Sequence, residues 1–188
     1  MKATDLRGRS VVAIENAERL GKVEEVLIDT ERQTIAAIEL ASRAGEMETI
    51  PVQMIRAIGS DAITVETGGG ARAELTPQRR RRGPDEAVQS LGDLLGSRVL
   101  TYDGNHIGDL SDVDFDPSSF RITGYEITAG PLADLFGRRK RVPATPDVHF
   151  GRKLMTVPEV AHAEPGRAEP SGESTEHGEE ARRESRPG

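Results

Sequence analysis

The feature that most constrains this sequence is an internal repeat. The segment from Leu94 to Ile127 is a second copy of the segment from Leu6 to Leu40, and the similarity continues beyond both. A repeat of this kind predicts two structural units with one architecture. The matched pairs are Gly8 with Gly96, Val11 with Val99, Gly21 with Gly108, Val26 with Val113, Asp29 with Asp116, Ile35 with Ile122, Pro51 with Pro143, Gly59 with Gly151, Ile63 with Met155 and Val65 with Val157.

The spacing between the copies changes in only two places. One change falls between Val12 and Leu20, and the other falls between Leu40 and Ile50. Both places are predicted loops, where insertions are tolerated best. Each copy spans roughly 65 residues, near the lower limit for burying an adequate core alone. The two copies therefore have reason to pack on each other, within one chain or between chains.

Short runs rich in Val and Ile, separated by polar turns, predict strands. The first copy contains such runs at 9–14, 23–29, 34–40, 47–52 and 62–66, with one helical turn near 53–55. The second copy repeats them at 98–102, 107–116, 121–128, 142–144 and 153–157. With aromatic residues at 3%, the core must be aliphatic. The predicted fold class is all-β.

Composition divides the chain into four parts. Residues 1–67 and 91–158 hold the two copies, and residues 68–90 form a predicted flexible linker that contains arginines. The linker also contains three consecutive glycines, which favour flexibility. Residues 159–188 are rich in Pro, Gly, Ser and Glu. Such a segment has too little apolar surface to form a packed core, so we expect an acidic, disordered tail.

Composition also narrows the function classes. The sequence has no cysteine, which excludes disulfides, thiolate chemistry and cysteine-ligated metals. The formal net charge is −7, and neither copy has the basic excess typical of a nucleic-acid-binding domain. No apolar run approaches the ~20 residues of a membrane span, and the first ten residues lack the apolar stretch of a signal peptide. We therefore expect a cytoplasmic protein.

Each copy contains L-x-G-x-x-V, a turn, [LI]-G-x-[VL]-x-x-V-x-x-D, a further turn and strand, then [VI]-P and [IF]-G. This pattern resembles the PRC-barrel family, known from the photosynthetic reaction-centre H subunit and, in a related form, from the ribosome maturation factor RimM. The resemblance implies two small, twisted β-barrels in tandem and binding or assembly roles without catalysis. It implies architectural roles for the shared positions Gly8, Gly21, Asp29, Pro51, Gly59, Gly96, Gly108, Asp116, Pro143 and Gly151.

No metal or catalytic site is predicted, and no cofactor. The carboxylates Asp109, Asp112, Asp114 and Asp116 have the spacing of a calcium loop. Such a loop needs a glycine and a distal glutamate, but Pro117 and Thr123 occupy those positions. We therefore predict that these carboxylates form the solvated face of a strand. The four histidines lack the spacing of a metal site, and no nucleophile, phosphate or dinucleotide motif is present.

Two basic segments are candidate binding sites. The run Arg79, Arg80, Arg81 and Arg82 could bind phosphate groups, although a solvated linker run is the more common case. In the second copy, an insertion contains Leu132, Leu135, Phe136, Arg138, Arg139, Lys140 and Arg141. Its three apolar residues share one face if the segment is helical. The insertion is then a lid on its own barrel, or a docking loop for a partner protein or a membrane surface.

These observations support a non-enzymatic binding or assembly adaptor with an unknown protein partner and possible self-association through barrel faces. Two alternatives remain open. One is a factor associated with RNA or the ribosome, which the RimM-like barrel and the arginine run favour. The other is a membrane-surface accessory protein of a photosynthetic or electron-transfer complex.

Overall fold

The computed structural model describes residues 1–41, 47–67, 87–128 and 139–159. Residues 1–67 are called unit 1 below, and residues 87–159 are called unit 2. Unit 1 begins with a 3-10 turn at Ala3–Leu6 and has a second at Val52–Met54. Its strands are β1 (Ser10–Ala13), β2 (Arg19–Asp29), β3 (Thr34–Ala41), β4 (Met47–Pro51), β5 (Ile55–Ile58) and β6 (Ala62–Val65).

Unit 2 begins with strand β7 (Val88–Ser90) and the four-residue helix α1 (Leu91–Leu94). Its remaining strands are β8 (Arg98–Thr101), β9 (His106–Phe115), β10 (Ile122–Thr128), β11 (Arg139–Pro143), β12 (His149–Gly151) and β13 (Leu154–Val157). Residues 88–90, which composition assigns to the linker, thus form a strand. Helix α1 occupies the position of the Ala3–Leu6 turn in unit 1.

The two units have the same strand order. The order is β4-β3-β2-β1-β6-β5 in unit 1 and β11-β10-β9-β8-β13-β12 in unit 2. Each sheet contains one parallel pair, β1 with β6 and β8 with β13, and its other pairs are antiparallel. The prediction of two tandem all-β units from a duplicated sequence is confirmed.

The repeat is also present in the backbone. Gly8 and Gly96 have φ angles of +77° and +74°, which glycine adopts at little cost. Their amides donate to equivalent carbonyls, Val23 at 2.7 Å and Leu110 at 2.8 Å. The glycines therefore turn the chain from the short helical segment into the strand that follows it, β1 in unit 1 and β8 in unit 2.

A bulge lies at the same place in both long strands. In β9 the pairing passes from Leu110 to Asp112 and skips Ser111, and in β2 it passes from Val23 to Glu25 and skips Glu24. The extra residue reverses the side-chain alternation, so Asp112 and Val113 are both buried. The prediction that Asp112 lies on a solvated face is therefore wrong, because simple alternation does not pass through a bulge.

The units exchange their N-terminal segments. Lys2 of unit 1 forms a bridge with Asp114 in β9 of unit 2, and β7 of unit 2 pairs with β2 of unit 1. The 3-10 turn Ala3–Leu6 contacts β9, and α1 contacts β2. We call these contacts, together with the others that join unit 1 to unit 2, such as the bridge between Thr34 and Arg121, the seam. The two units thus pack on each other within one chain, which the sequence left open.

One hydrophobic cluster extends through both units. Leu6 and Leu94, at equivalent positions next to the seam, are 0% and 1% exposed. Aliphatic residues make up most of the cluster, and unit 2 adds Phe115 and Tyr125. Each unit alone would have a small core, so sharing one core across the seam supplies the burial that a roughly 65-residue unit lacks.

Candidate interaction surface

Strand β11 carries the described part of the basic insertion. It pairs with β10 in antiparallel register, from Thr128 opposite Arg139 to Gly124 opposite Pro143, and stands at the end of the strand order. Lys140 and Arg141 are exposed. Of the other predicted docking residues, Arg139 is described by its backbone alone, and Leu132, Leu135, Phe136 and Arg138 lie outside the described residues.

The Arg141 side chain crosses the outer surface of the sheet. Its Nε donates to Asp114 Oδ2 at 2.9 Å, and its Nη2 donates to Thr123 Oγ1 at 3.2 Å. The missing side chain of Gly124 makes room, because a Cβ there would lie 2.9 Å from Arg141 Nε. The guanidinium is thus held by a carboxylate although 61% of the side chain is exposed. Lys140, next to it on β11, is also exposed.

The basic character of this edge belongs to unit 2 alone. Lys140 and Arg141 occupy the positions of Glu48 and Thr49 in strand β4 of unit 1. Both strands stand at the end of the strand order, and edge strands present unpaired backbone groups to a partner. The same backbone edge therefore carries opposite charge in the two units.

Two carboxylates at the seam serve as backbone acceptors. Asp112 accepts from the Thr4 amide at 3.3 Å, from the Thr4 hydroxyl and from its neighbouring Val113 amide at 2.8 Å. Glu25, at the equivalent position of unit 1, accepts from the Gly92 amide at 3.4 Å and pairs with Arg7. These acids hold the first turn of the opposite unit, so their role is structural.

The repeated aspartates close equivalent turns. Asp29 Oδ1 accepts from the amides of Glu31 and Arg32, at 3.1 and 2.8 Å. Asp116 Oδ1 accepts from the amides of Ser118 and Ser119, at 2.7 and 2.9 Å, and from the Ser118 hydroxyl. These bonds favour the ionised carboxylate, and the bond from the Ser118 hydroxyl has the largest effect. They therefore lower the pKa of Asp116 from 3.8 to about 2.

The Asp116 carboxylate should make acid stability pH-dependent. Its folded pKa of about 2 is below its ordinary value of 3.8, so its stabilisation is present above about pH 4 and is lost as the pH falls through about 2. Asp116→Asn keeps an acceptor oxygen but does not titrate there. We expect the stability advantage of the wild type over Asp116→Asn to shrink between pH 4 and 2, measured by urea unfolding. A constant difference over this range would contradict the assignment.

The remaining predicted motif positions lie within strands, at strand ends and in turns. Gly21 and Gly108 pair with the first strands of their units, opposite Val11 and Val99. Pro51 and Pro143 end β4 and β11. Gly59 donates its amide to Ala62 O at 2.9 Å, and Gly151 ends β12 opposite Leu154.

The two histidines that the structure describes, His106 and His149, have different neighbours. His106 Nε2 lies 3.3 Å from Asp109 Oδ1, and the His149 ring stacks on Tyr102 with centroids 6.4 Å apart. His162 and His177 lie outside the described residues, as does the run Arg79–Arg82. Within the described ranges, no three His, Asp or Glu side chains are placed to hold a metal ion.

Tyr125 of unit 2 is fully buried. Burial raises the pKa of Tyr125 well above its usual range, and its hydroxyl has no hydrogen-bond partner among the described residues. Its position corresponds to Ile38 of unit 1, so the hydroxyl is an addition within unit 2.

In the part of the chain that the structure describes, no helix is long and apolar enough to cross a membrane.

Sequence reasoning missed the seam residues. Lys2, whose Nζ lies 2.7 Å from Glu126 Oε1, and Thr4 precede the first strand and belong to no predicted motif. Gln33 Nε2 donates to Thr145 O at 2.6 Å in the other unit. One signal of these residues was available in the sequence. Asp112 and Glu25 are acids at equivalent positions of the repeat, and each precedes a valine that is buried in the structure.

In a comparison with protein families, the sequence matches the family described as PRC-barrel domain. The match covers residues 1–72 and 88–163, and each matched range contains one unit. No curated protein matches the sequence.

Proposed function

Since the chain belongs to the PRC-barrel domain family, with one barrel domain in each half, we propose that it is a non-enzymatic adaptor that recruits a partner protein. Support comes from the use of its carboxylates. Glu25 and Asp112 at the seam, and Asp29 and Asp116 at the turns, accept hydrogen bonds from backbone amides. Acids used in this way stabilise the fold, which favours an architectural role for these four carboxylates.

The partner binds along the outer edge of β11 and takes the form of an acidic, extended segment. The observation that carries this proposal is the charge difference between equivalent edges, Lys140 and Arg141 in unit 2 against Glu48 and Thr49 in unit 1. An extended segment added to an edge strand gains backbone hydrogen bonds. Arg139, the first residue of β11, and Arg138, which precedes it in the sequence, add to the charge that would select acidic side chains.

Lys140 is the side chain that tests this surface. A photo-crosslinking residue at position 140 of the full chain would capture the partner in cell extract, and mass spectrometry of the cross-linked peptide would give its composition. With the captured partner in hand, we expect Lys140→Glu to weaken binding about five-fold, since a charge at the rim of an interface is worth up to about 1 kcal/mol. The Kd should also rise with salt.

Lys22→Glu is the matched control. Lys22 is exposed on β2, so its reversal changes the net charge equally without altering β11. Equal weakening of partner binding by both variants would contradict a site on the edge of β11 and would indicate an effect of net charge alone. Cross-links to a partner segment without acidic residues would overturn the proposed recognition. Loss of the cross-linked species on nuclease treatment would favour an RNA-associated role instead.

A further inference from the structure

The seam is symmetric. Thr34 pairs with Arg121 in an isolated bridge, and these two residues occupy equivalent positions in the repeat. The bonds around them are reciprocal: the Ile35 amide donates to Phe120 O at 2.8 Å, and the Ile122 amide donates to Gln33 O at 2.9 Å. An approximate two-fold axis therefore passes between Thr34 and Arg121.

The exchanged segments obey the same axis. Ser90 pairs with Leu27, and its equivalent Lys2 pairs with Asp114, the residue equivalent to Leu27. The amide of Gly92 donates to Glu25, and the amide of its equivalent Thr4 donates to Asp112. Each unit thus presents the surface that the other unit needs, which is the arrangement of an isologous dimer interface.

None of these contacts requires that both units belong to one chain. Residues 68–86 connect them, nineteen residues in sequence, and a chain of that length spans up to about 65 Å when extended. Connection in one chain favours the internal pairing only through a higher effective concentration, of about millimolar order for short flexible linkers. When the protein concentration is comparable with this effective concentration, pairing between chains competes with pairing within one chain.

We propose that the seam is also a dimerisation interface, through which two copies of this chain exchange units. Unit 1 of each copy packs on unit 2 of the other copy, so the dimer contains two seams. Both seams use the surfaces that pack on each other within one chain. This inference is independent of the partner site on β11. It identifies a second copy of the chain as the partner of the seam.

The ion pair between Lys2 and Glu126 provides a test. The Lys2→Glu variant has two carboxylates at its own seam, and the Glu126→Lys variant has two ammonium groups. In an exchanged heterodimer of the two variants, both seams regain opposite charges. We therefore expect equimolar refolding of the full-length variants at millimolar concentration to yield heterodimer in excess over either homodimer, on the order of five-fold.

The measurement is native mass spectrometry after refolding from urea, with one variant labelled with ¹⁵N so that hetero- and homodimers differ in mass. The double variant Lys2→Glu/Glu126→Lys is the control, because its seam is complementary within one chain and should distribute as the wild type does. Heterodimer at the statistical proportion, or a mixture that remains monomeric, would overturn the proposal.

A second measurement uses the wild type and therefore does not depend on the folding of any variant. Labelled and unlabelled wild-type chains refolded together at micromolar concentration should give monomers. Refolded together at millimolar concentration, they should give dimers that contain both labels and persist on dilution, because separation requires the seam to open. Absence of such dimers at millimolar concentration would equally overturn the proposal.

Discussion

Gly108→Ala will destabilise the protein strongly, whereas the equivalent change Gly21→Ala will have little effect. Gly108 has a φ of +138°, a backbone conformation that costs other residues about 1–3 kcal/mol. A Cβ built there would press on the Thr128 carbonyl oxygen and lie 2.7 Å from Ile127 Cγ2. Since overpacking against backbone adds about 1–3 kcal/mol, we expect a loss of roughly 3 kcal/mol and a Tm lower by about 6–12 °C.

Gly21 provides an unusually close control. It occupies the same position in the repeat and pairs with Val11 as Gly108 pairs with Val99. Its Cβ would meet Ala41 O at 3.5 Å and Leu40 Cβ at 3.6 Å, which are ordinary contacts. Alanine there should change stability by less than about 1 kcal/mol. Thermal unfolding followed by circular dichroism measures both, and equal losses would contradict the difference in strand packing described above.

The repeat predicted two equivalent units, and the structure shows that features which depend on local sequence are duplicated with it. The positive φ of Gly8 and Gly96 and the turns closed by Asp29 and Asp116 each involve a few neighbouring residues. A duplicated motif preserves such local geometry, so the offsets predicted two equivalent units, and the runs rich in Val and Ile predicted the all-β class. The family match supports the same conclusion.

The seam could not be predicted in this way, because its contacts join positions far apart in the chain. Residues 88–90 follow a basic segment, and three residues are too short to show alternation, yet they pair with β2. Strand β5 was missed for a related reason. Its pairing with β6 skips Arg56, so its apolar residues Ile55 and Ile58 are three apart and do not follow the period of two.

The candidate binding surface was predicted in part. The sequence pointed to the insertion from its triplet of apolar residues and the basic run after it, and the structure describes Lys140 and Arg141 of that set. The sequence could not indicate that Arg141 lies across Gly124 to reach Asp114, because that contact depends on the register of three strands. Lys140, next to it on β11, is consequently the sharper choice for mutation.

Leu6→Ala will lower the stability of both units together. Leu6 is fully buried in the core that extends through the seam, and truncation of a buried leucine costs about 2–5 kcal/mol. The sequence has no Trp and two Tyr, Tyr102 and Tyr125, both in unit 2, so tyrosine fluorescence reports unit 2 alone. We expect this signal and circular dichroism to show one coincident transition in urea, shifted to lower concentration, although the substitution lies in unit 1.

The control for this coupling is Ile63→Ala. Ile63 is equally buried in unit 1, but its strand β6 pairs with β1 and β5 of that unit, away from the seam. If the shared core makes the chain a single cooperative body, Ile63→Ala must also move the tyrosine transition, by an amount set by its own loss of about 2–5 kcal/mol. If Leu6→Ala moves that transition and Ile63→Ala does not, the effect of Leu6 is local to β9. The two units then unfold separately despite their exchanged segments.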